Sequence, residues 1–192
     1  MIAIIKYNAG NVQSVRNALN RLGIKNIITD NVNEIKNADK VILPGVGEAS
    51  SAMAYLKSKG LDVVIKNLTQ PFLGICLGMQ LLCESTEEGN TTCLGIFNTR
   101  VKKFPPKDKV PHMGWNSLNN QSSLLLKGIE DDSDVYYVHS FYAELCENTS
   151  TKTDYISPFS AILEKDNFFA VQFHPEKSAK IGEQILKNFI DL

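Results

Sequence analysis

The chain has 192 residues, with 20 Lys and Arg against 21 Asp and Glu and a formal net charge of −1. That length is enough for one domain with a sizeable core, and a hydrophobic fraction of 43% is ordinary for a soluble globular protein. Near-neutral charge without a basic block argues against nucleic acid or an anionic membrane as partner.

The apolar N-terminal run is too short for a signal peptide or a membrane span and reads as a buried strand over residues 2–6. Residues 11–22 have helical spacing, with Val12, Val15, Ala18, Leu19 and Leu22 on one face and Gly23 as the stop. Residues 26–29 and 40–43 are short strands, the second running into Pro44-Gly45-Val46-Gly47. Residues 49–59 and 61–68 are helical. A strand at 71–75 then leads into a helix at 77–83. This alternation predicts an α/β fold, a mostly parallel central sheet flanked by helices.

The second half changes character. Residues 95–104, 110–118, 134–144, 155–164 and 168–173 are strand-like, which adds antiparallel strands to the sheet. Asn119-Asn120 and Asp166-Asn167 are turns, the latter a hairpin. Residues 147–154 read as a polar loop. Residues 177–192 close the chain as an amphipathic helix, with Ile181, Ile185, Leu186, Phe189 and Ile190 apolar. No internal repeat or linker appears, so residues 1–192 are expected to form one domain.

Four cysteines occur, Cys76, Cys83, Cys93 and Cys146, without a C-x-x-C pair, which argues against a zinc knuckle or a thioredoxin-type site. No export signal is evident, so a reducing cytoplasm and free thiols are expected. Cys83, Cys93 and Cys146 read as small hydrophobes. Cys76 differs. Gly74-Ile75-Cys76-Leu77-Gly78 lies between a strand and a helix, the pattern of a nucleophile elbow. The glycines permit the sharp turn, and the turn is expected to expose the sulfur at a helix start, where dipole and free N–H groups favour a thiolate.

A thiolate nucleophile needs a base, and the base an orienting acceptor. Of the three histidines, His174 lies in Gln172-Phe173-His174-Pro175-Glu176 at a strand end. On extended chain Glu176 points the same way as His174, so Cys76, His174 and Glu176 make a complete set gathered at strand ends. His112 and His139, inside apolar strands, read as packing residues. The N–H of Leu77 is one natural oxyanion donor, and the Pro44 to Gly47 segment is a candidate for the other.

The Gly74-Ile75-Cys76-Leu77-Gly78-Met79-Gln80 segment together with His174-Pro175-Glu176 resembles the class I (triad) glutamine amidotransferases. Pro44-Gly45-Val46-Gly47, Pro111-His112-Met113-Gly114-Trp115-Asn116 and His174-Pro175-Glu176-Lys177-Ser178 narrow the resemblance to the glutaminase subunits of imidazole glycerol phosphate synthases, of histidine biosynthesis. It spans essentially the whole chain. It implies that Cys76 attacks the side-chain amide of L-glutamine while His174, oriented by Glu176, moves the protons. It implies an oxyanion hole from Leu77 and Val46 after a peptide flip, and glutamine held by Gly47, Gln80, Glu88, Ser140 and Phe141. Glu84 and Glu87 lie close to Glu88 and could equally be one solvated acidic face with it. No cofactor and no metal are implied. The ammonia would pass to a separate (β/α)₈ cyclase subunit, which this chain is too short to contain, with Asn11, Trp115, Tyr136 and Lys177 at the interface. The family's usual Asp-Tyr-Gly-x-Gly-Asn start reads Lys6-Tyr7-Asn8-Ala9-Gly10-Asn11 here. That inverts a charge and leaves room for a paralogue serving another synthase, such as one in surface-polysaccharide synthesis; a catalytically silent regulatory subunit is a further alternative, against which the intact Cys76, His174 and Glu176 argue.

Overall fold

The computed structural model describes residues 1–7, 11–119 and 122–192. Asn8, Ala9 and Gly10 of the divergent start, and Asn120 of the predicted turn, lie outside the described residues. In chain order the elements are β1 (Ile2–Ile5), α1 (Val12–Arg21), β2 (Asn26–Thr29), α2 (Val32–Lys36), β3 (Lys40–Leu43), α3 (Ala49–Ser58), α4 (Leu61–Lys66), β4 (Phe72–Ile75) and α5 (Leu77–Leu82). Then follow β5 (Ser85–Thr86), β6 (Thr91–Thr92), β7 (Arg100–Lys103), β8 (His112–Ser117), β9 (Asp134–His139), β10 (Phe141–Ala143), β11 (Thr149–Asp154), β12 (Pro158–Lys165), β13 (Phe168–Val171) and α6 (Ala179–Asp191).

The main sheet has the order β11-β12-β13-β4-β3-β1-β2. From β2 to β13 every pairing is parallel, and β12 and β11 add an antiparallel edge. The inner strands are apolar on both faces, as a covered parallel sheet requires. Ala3, Ile5, Val41, Leu43 and Phe72 face α3 and α4 in one buried cluster. Ile2, Ile4, Ile42, Leu73 and Ile75 join Val15, Leu19, Ile185 and Phe189 of α1 and α6 in the other. The period of two along each strand sorts the side chains between these layers.

The second half departs from the sequence reading in three places. Residues 134–144 are two strands in different sheets, β9 pairing with β8 and β10 with β7, and Ser140 makes the break. Of residues 95–104 only Arg100–Lys103 is strand. Residues 149–154, read as loop, are the edge strand β11. Two of its threonines place their hydroxyls in hydrogen bonds: Thr149 Oγ1 lies 2.8 Å from Ser160 Oγ, and Thr153 Oγ1 donates to the Ser117 carbonyl at 2.8 Å. The hairpin turn at Asp166-Asn167 forms as expected, with Asp166 at φ 54°.

Candidate active site

Four parallel strands end at one edge of the sheet. β3 delivers Pro44 to Gly47, β4 delivers Cys76, β13 delivers Gln172 to His174, and β1 leads through Tyr7 to Asn11. Such an edge is where open α/β sheets carry their sites.

The elbow is built by steric exclusion. Cys76 has φ 52° and ψ −107°, a strained backbone state for a residue with a Cβ. Its N–H still donates to the Val171 carbonyl at 2.8 Å, so the sheet holds the turn in place. A Cβ on Gly78 would stand 1.8 Å from the Leu43 carbonyl oxygen, and one on Gly74 would stand 2.9 Å from the Gly78 backbone. Both glycines therefore let α5 press onto β3 and β4. The expected exposure of the sulfur is corrected: Cys76 is only 6% exposed and forms part of the wall of a pocket of about 290 Å³. That pocket has room for an amino acid rather than a large cofactor.

The pocket brings together what the sequence scattered. Val46, Gly47, Leu77, Gln80, Glu88, Ser140 and Phe141 all line it with Cys76. The ambiguity among the three glutamates resolves by contact. Glu88 faces the pocket and accepts from the Ala49 N–H at 2.8 Å, which also holds the start of α3. Glu84 instead lies 3.9 Å from Arg100, and Glu87 accepts from the Lys103 N–H. Burial raises the Glu88 carboxyl above its ordinary value.

His174 and Glu176 have wholly buried side chains. Nδ1 of His174 lies 2.8 Å from Glu176 Oε1. The contact comes from a 3₁₀ turn over Pro175–Lys177, not from the extended chain that the spacing suggested. The turn is anchored on both sides. The His174 N–H donates to the Tyr136 carbonyl, and Ser178 Oγ donates to the His174 carbonyl while accepting from the Tyr136 N–H. Burial alone would lower the His174 pKa, but negative charge on Cys76 and the hydrogen bond and charge of Glu176 outweigh it and push it up to about 10. His174 thus carries a proton at neutral pH. Its Nε2 is buried without a close hydrogen-bond partner among the described residues, and the group it interacts with is the Cys76 sulfur.

Asn11, placed at a partner interface by resemblance, touches this pair. Its Nδ2 donates to Glu176 Oε1, and it sits 3.3 Å from His174 Nδ1. Nδ1 must donate to the carboxylate, so the amide and the ring are two donors converging on one oxygen. The other interface candidates behave differently. Trp115 is 55% exposed and Lys177 is exposed, while Tyr136 is half-buried. Trp115 and Tyr136 pair across β8 and β9 with rings 5.9 Å apart at 72°. Core packing therefore does not account for Trp115.

The Leu77 N–H is not a free oxyanion donor. It donates to the Gly45 carbonyl at 3.3 Å. Gly45 C=O and Val46 N–H belong to one peptide unit, so rotating that unit would withdraw the carbonyl and present the Val46 N–H in its place. Tyr7 buttresses this strand, its hydroxyl donating to the Pro44 carbonyl at 2.5 Å.

His112 and His139 pack as expected, and they are also bonded. His139 Nδ1 lies 2.8 Å from the Phe141 carbonyl, which can only accept, so Nδ1 carries the hydrogen. His139 Nε2 then accepts from His112 Nδ1 at 3.0 Å, and His112 Nε2 faces the Asn116 amide at 3.3 Å. Burial lowers His112 to about 4 and His139 to about 3. Both are neutral in the fold, whereas an unfolded chain protonates them below about 6.5. Their contribution to stability is therefore present above pH 6.5 and is lost as pH falls toward 4 and 3. His174 has the opposite sign, its contribution being lost between about 6.5 and 10. We expect the acid-side slope of unfolding free energy against pH to fall by about one proton in His112→Asn. Denaturant titrations of both proteins between pH 4.5 and 6.5 check this, and equal slopes would contradict it.

The family model for class I glutamine amidotransferases matches residues 3–192. The chain is similar to proteins named imidazole glycerol phosphate synthase subunit HisH. It is 56% identical to that of Bacteroides thetaiotaomicron and 58% to that of Bacteroides fragilis strain YCH46, each over 100% of this chain and 99% of that protein. The Yersinia pseudotuberculosis protein is 44% identical over the same shares. Among solved structures, a glutamine amidotransferase from Thermotoga maritima superposes with a TM-score of 0.67 at 17% identity, covering 99% of this chain and 82% of that one. The structure of PurLQS from the same organism gives 0.73 at 15% identity, covering 99% and 97%. These two likenesses concern the fold.

Proposed function

The chain belongs to the class I glutamine amidotransferases, and from that premise we propose that it is the glutaminase subunit of an imidazole glycerol phosphate synthase in histidine biosynthesis. Full-length identities of 56–58% to subunits of that name support the pathway. One observation carries the chemistry: a strained cysteine elbow opening on an amino-acid-sized pocket, beside a buried His174 that bonds Glu176 and whose pKa that cysteine helps to raise. We read residues 1–192 as one amidotransferase domain. The four free cysteines suit a reducing cytoplasm, and among the described residues no helix is long and apolar enough to cross a membrane.

In this reading the Cys76 sulfur attacks the side-chain carboxamide carbon of glutamine. An S–C bond forms and the carbonyl electron pair moves to oxygen, held by the N–H groups of Leu77 and, after the peptide rotates, Val46. His174 gives its Nε2 proton to the amide nitrogen, the C–N bond breaks, and ammonia leaves. The neutral ring then takes a proton from water, hydroxide attacks the thioester, and the C–S bond breaks to give glutamate and the thiolate. Glu176 and Asn11 hold the ring. Glu88 and the Gly47 backbone meet the charged end of glutamine, and Gln80, Ser140 and Phe141 line its path.

The ammonia goes to a (β/α)₈ cyclase partner. Trp115 and Met113, 55% and 58% exposed and two residues apart on β8, form an apolar patch that suits the docking face. The test is glutamate release with and without the candidate cyclase and its ribulosyl substrate. Release should be slow alone and strongly stimulated by the complex. Trp115→Ala should weaken partner binding about tenfold to a hundredfold with an unchanged melting temperature, since the ring is exposed. Stimulation by another synthase instead would indicate the paralogue.

A further inference from the structure

Gln172 is wholly buried, yet it is a polar side chain that no step above uses. Its Nε2 lies 3.6 Å from the Cys76 sulfur. Amide nitrogen and oxygen are easily exchanged in coordinates, so the orientation has to be fixed by the neighbours. Here it is. The Phe141 carbonyl can only accept, so the Gln80 atom 2.9 Å away is its amide nitrogen. The same nitrogen lies 3.1 Å from Gln172, which must therefore present its oxygen to it. Only the Gln172 N–H₂ group remains to face the sulfur. His139 supports the anchor, since its Nδ1–H also bonds the Phe141 carbonyl. The Gln80 N–H₂ group thus donates to Phe141 on one side and to Gln172 on the other, and Gln172 donates onward to Cys76.

Of the sulfur's other polar neighbours, the protonated His174 favours a thiolate, while the Val138 carbonyl, 3.9 Å away, can accept only from S–H and acts against it. We infer that Gln172 is a further catalytic residue, an oriented N–H donor that holds the Cys76 sulfur as a thiolate and aims it into the pocket. A hydrogen bond to a charged acceptor is stronger than one to a neutral acceptor. The donor therefore favours the ionised state over the thiol, and it is in place before substrate arrives. This role rests on the glutaminase reading for its purpose, but its measurement does not.

The test is the pH dependence of Cys76 alkylation by iodoacetamide in the full chain, followed by mass spectrometry of the peptide, with Cys146 as internal reference. Two variants of similar length separate packing from donation. Gln172→Met removes the donor. Gln172→Glu keeps an acceptor for Gln80 but turns oxygen toward the sulfur. The titratable groups facing the sulfur are His174 after β13, Tyr7 after β1, His139 at the end of β9 and Glu88 across the pocket, and both variants retain them. We expect the alkylation midpoint to rise by about one pH unit in Gln172→Met and further in Gln172→Glu, a tenfold or greater loss of thiolate at a fixed lower pH. Glutamine turnover should fall in kcat, with KM little changed. Midpoints equal to wild type in either folded variant, judged by an unchanged near-ultraviolet circular dichroism spectrum, would overturn the inference. So would a lower midpoint in Gln172→Glu. A variant that does not fold leaves the other to decide. If wild type turns over no glutamine yet shows the shifts, the glutaminase reading fails and the donor role stands.

Discussion

Cys76→Ala should reduce glutamine-dependent turnover by about a thousandfold or more, while added ammonium still supports the cyclase partner. Among the described residues no other group is placed to take over. Cys83 and Cys93 are buried, and burial raises both thiols, Cys93 to about 11. Ser140 lines the pocket, but the neighbouring imidazole is not a free base for its hydroxyl: His139 gives its Nδ1 hydrogen to Phe141, and its Nε2 already accepts from His112. The ammonium arm separates a lost nucleophile from a lost complex. Glutamate release at the wild-type rate from the variant would remove Cys76 from the mechanism. Failure of ammonium to rescue the cyclase would mean that the substitution damaged docking instead.

The largest loss of stability is expected at Gly78. The added methyl of Gly78→Ala would overlap the Leu43 carbonyl, at 1.8 Å from its oxygen and 2.9 Å from its carbon. Backbone in the middle of a buried sheet cannot step aside as a side-chain tip can. Either α5 lifts off β3 or the β3 end bends, and both disturb the elbow. A cost of about 3 kcal/mol or more follows. Gly23→Ala is the useful contrast. Gly23 has φ 73° and nothing within 4 Å of the Cβ position, so it should lose only the strain of a left-handed residue, about 1 kcal/mol. Urea midpoints at constant m-value measure both. Equal losses would mean that the close approach of α5 to β3 does not govern stability.

The sequence is readable where local rules act alone. The inner strands are unbroken apolar runs, and the elbow declares itself because two glycines flank a cysteine between a strand and a helix. Where a polar strand sits on an edge, the rules are weaker. β11 has threonines at 149, 151 and 153, a period of two, but its burial depends on hydroxyl partners in β12 and on Ser117. The short helix α2 is too brief for apolar periodicity to reveal it, although Asn31 caps it and Glu34 follows three residues later, a recognisable start signal. The contacts of Asn11 and Gln172 lie beyond any local rule. Asn11 meets Glu176 from 165 residues away, and Gln172 meets Cys76 from 96. Their roles exist only once the sheet has brought the strand ends together. The occupied Leu77 N–H is likewise a matter of one carbonyl's direction, which residue identity does not encode.

That single carbonyl sets how small the activating event would be. Turning the peptide between Gly45 and Val46 changes two torsions, ψ of one residue and φ of the next, and breaks one long hydrogen bond of 3.3 Å. No helix has to slide and no lid has to close. The scattering profile and the overall secondary-structure content of the protein would stay the same, even as its turnover rose. Amide exchange at Leu77 and Val46 would be the observable that moves.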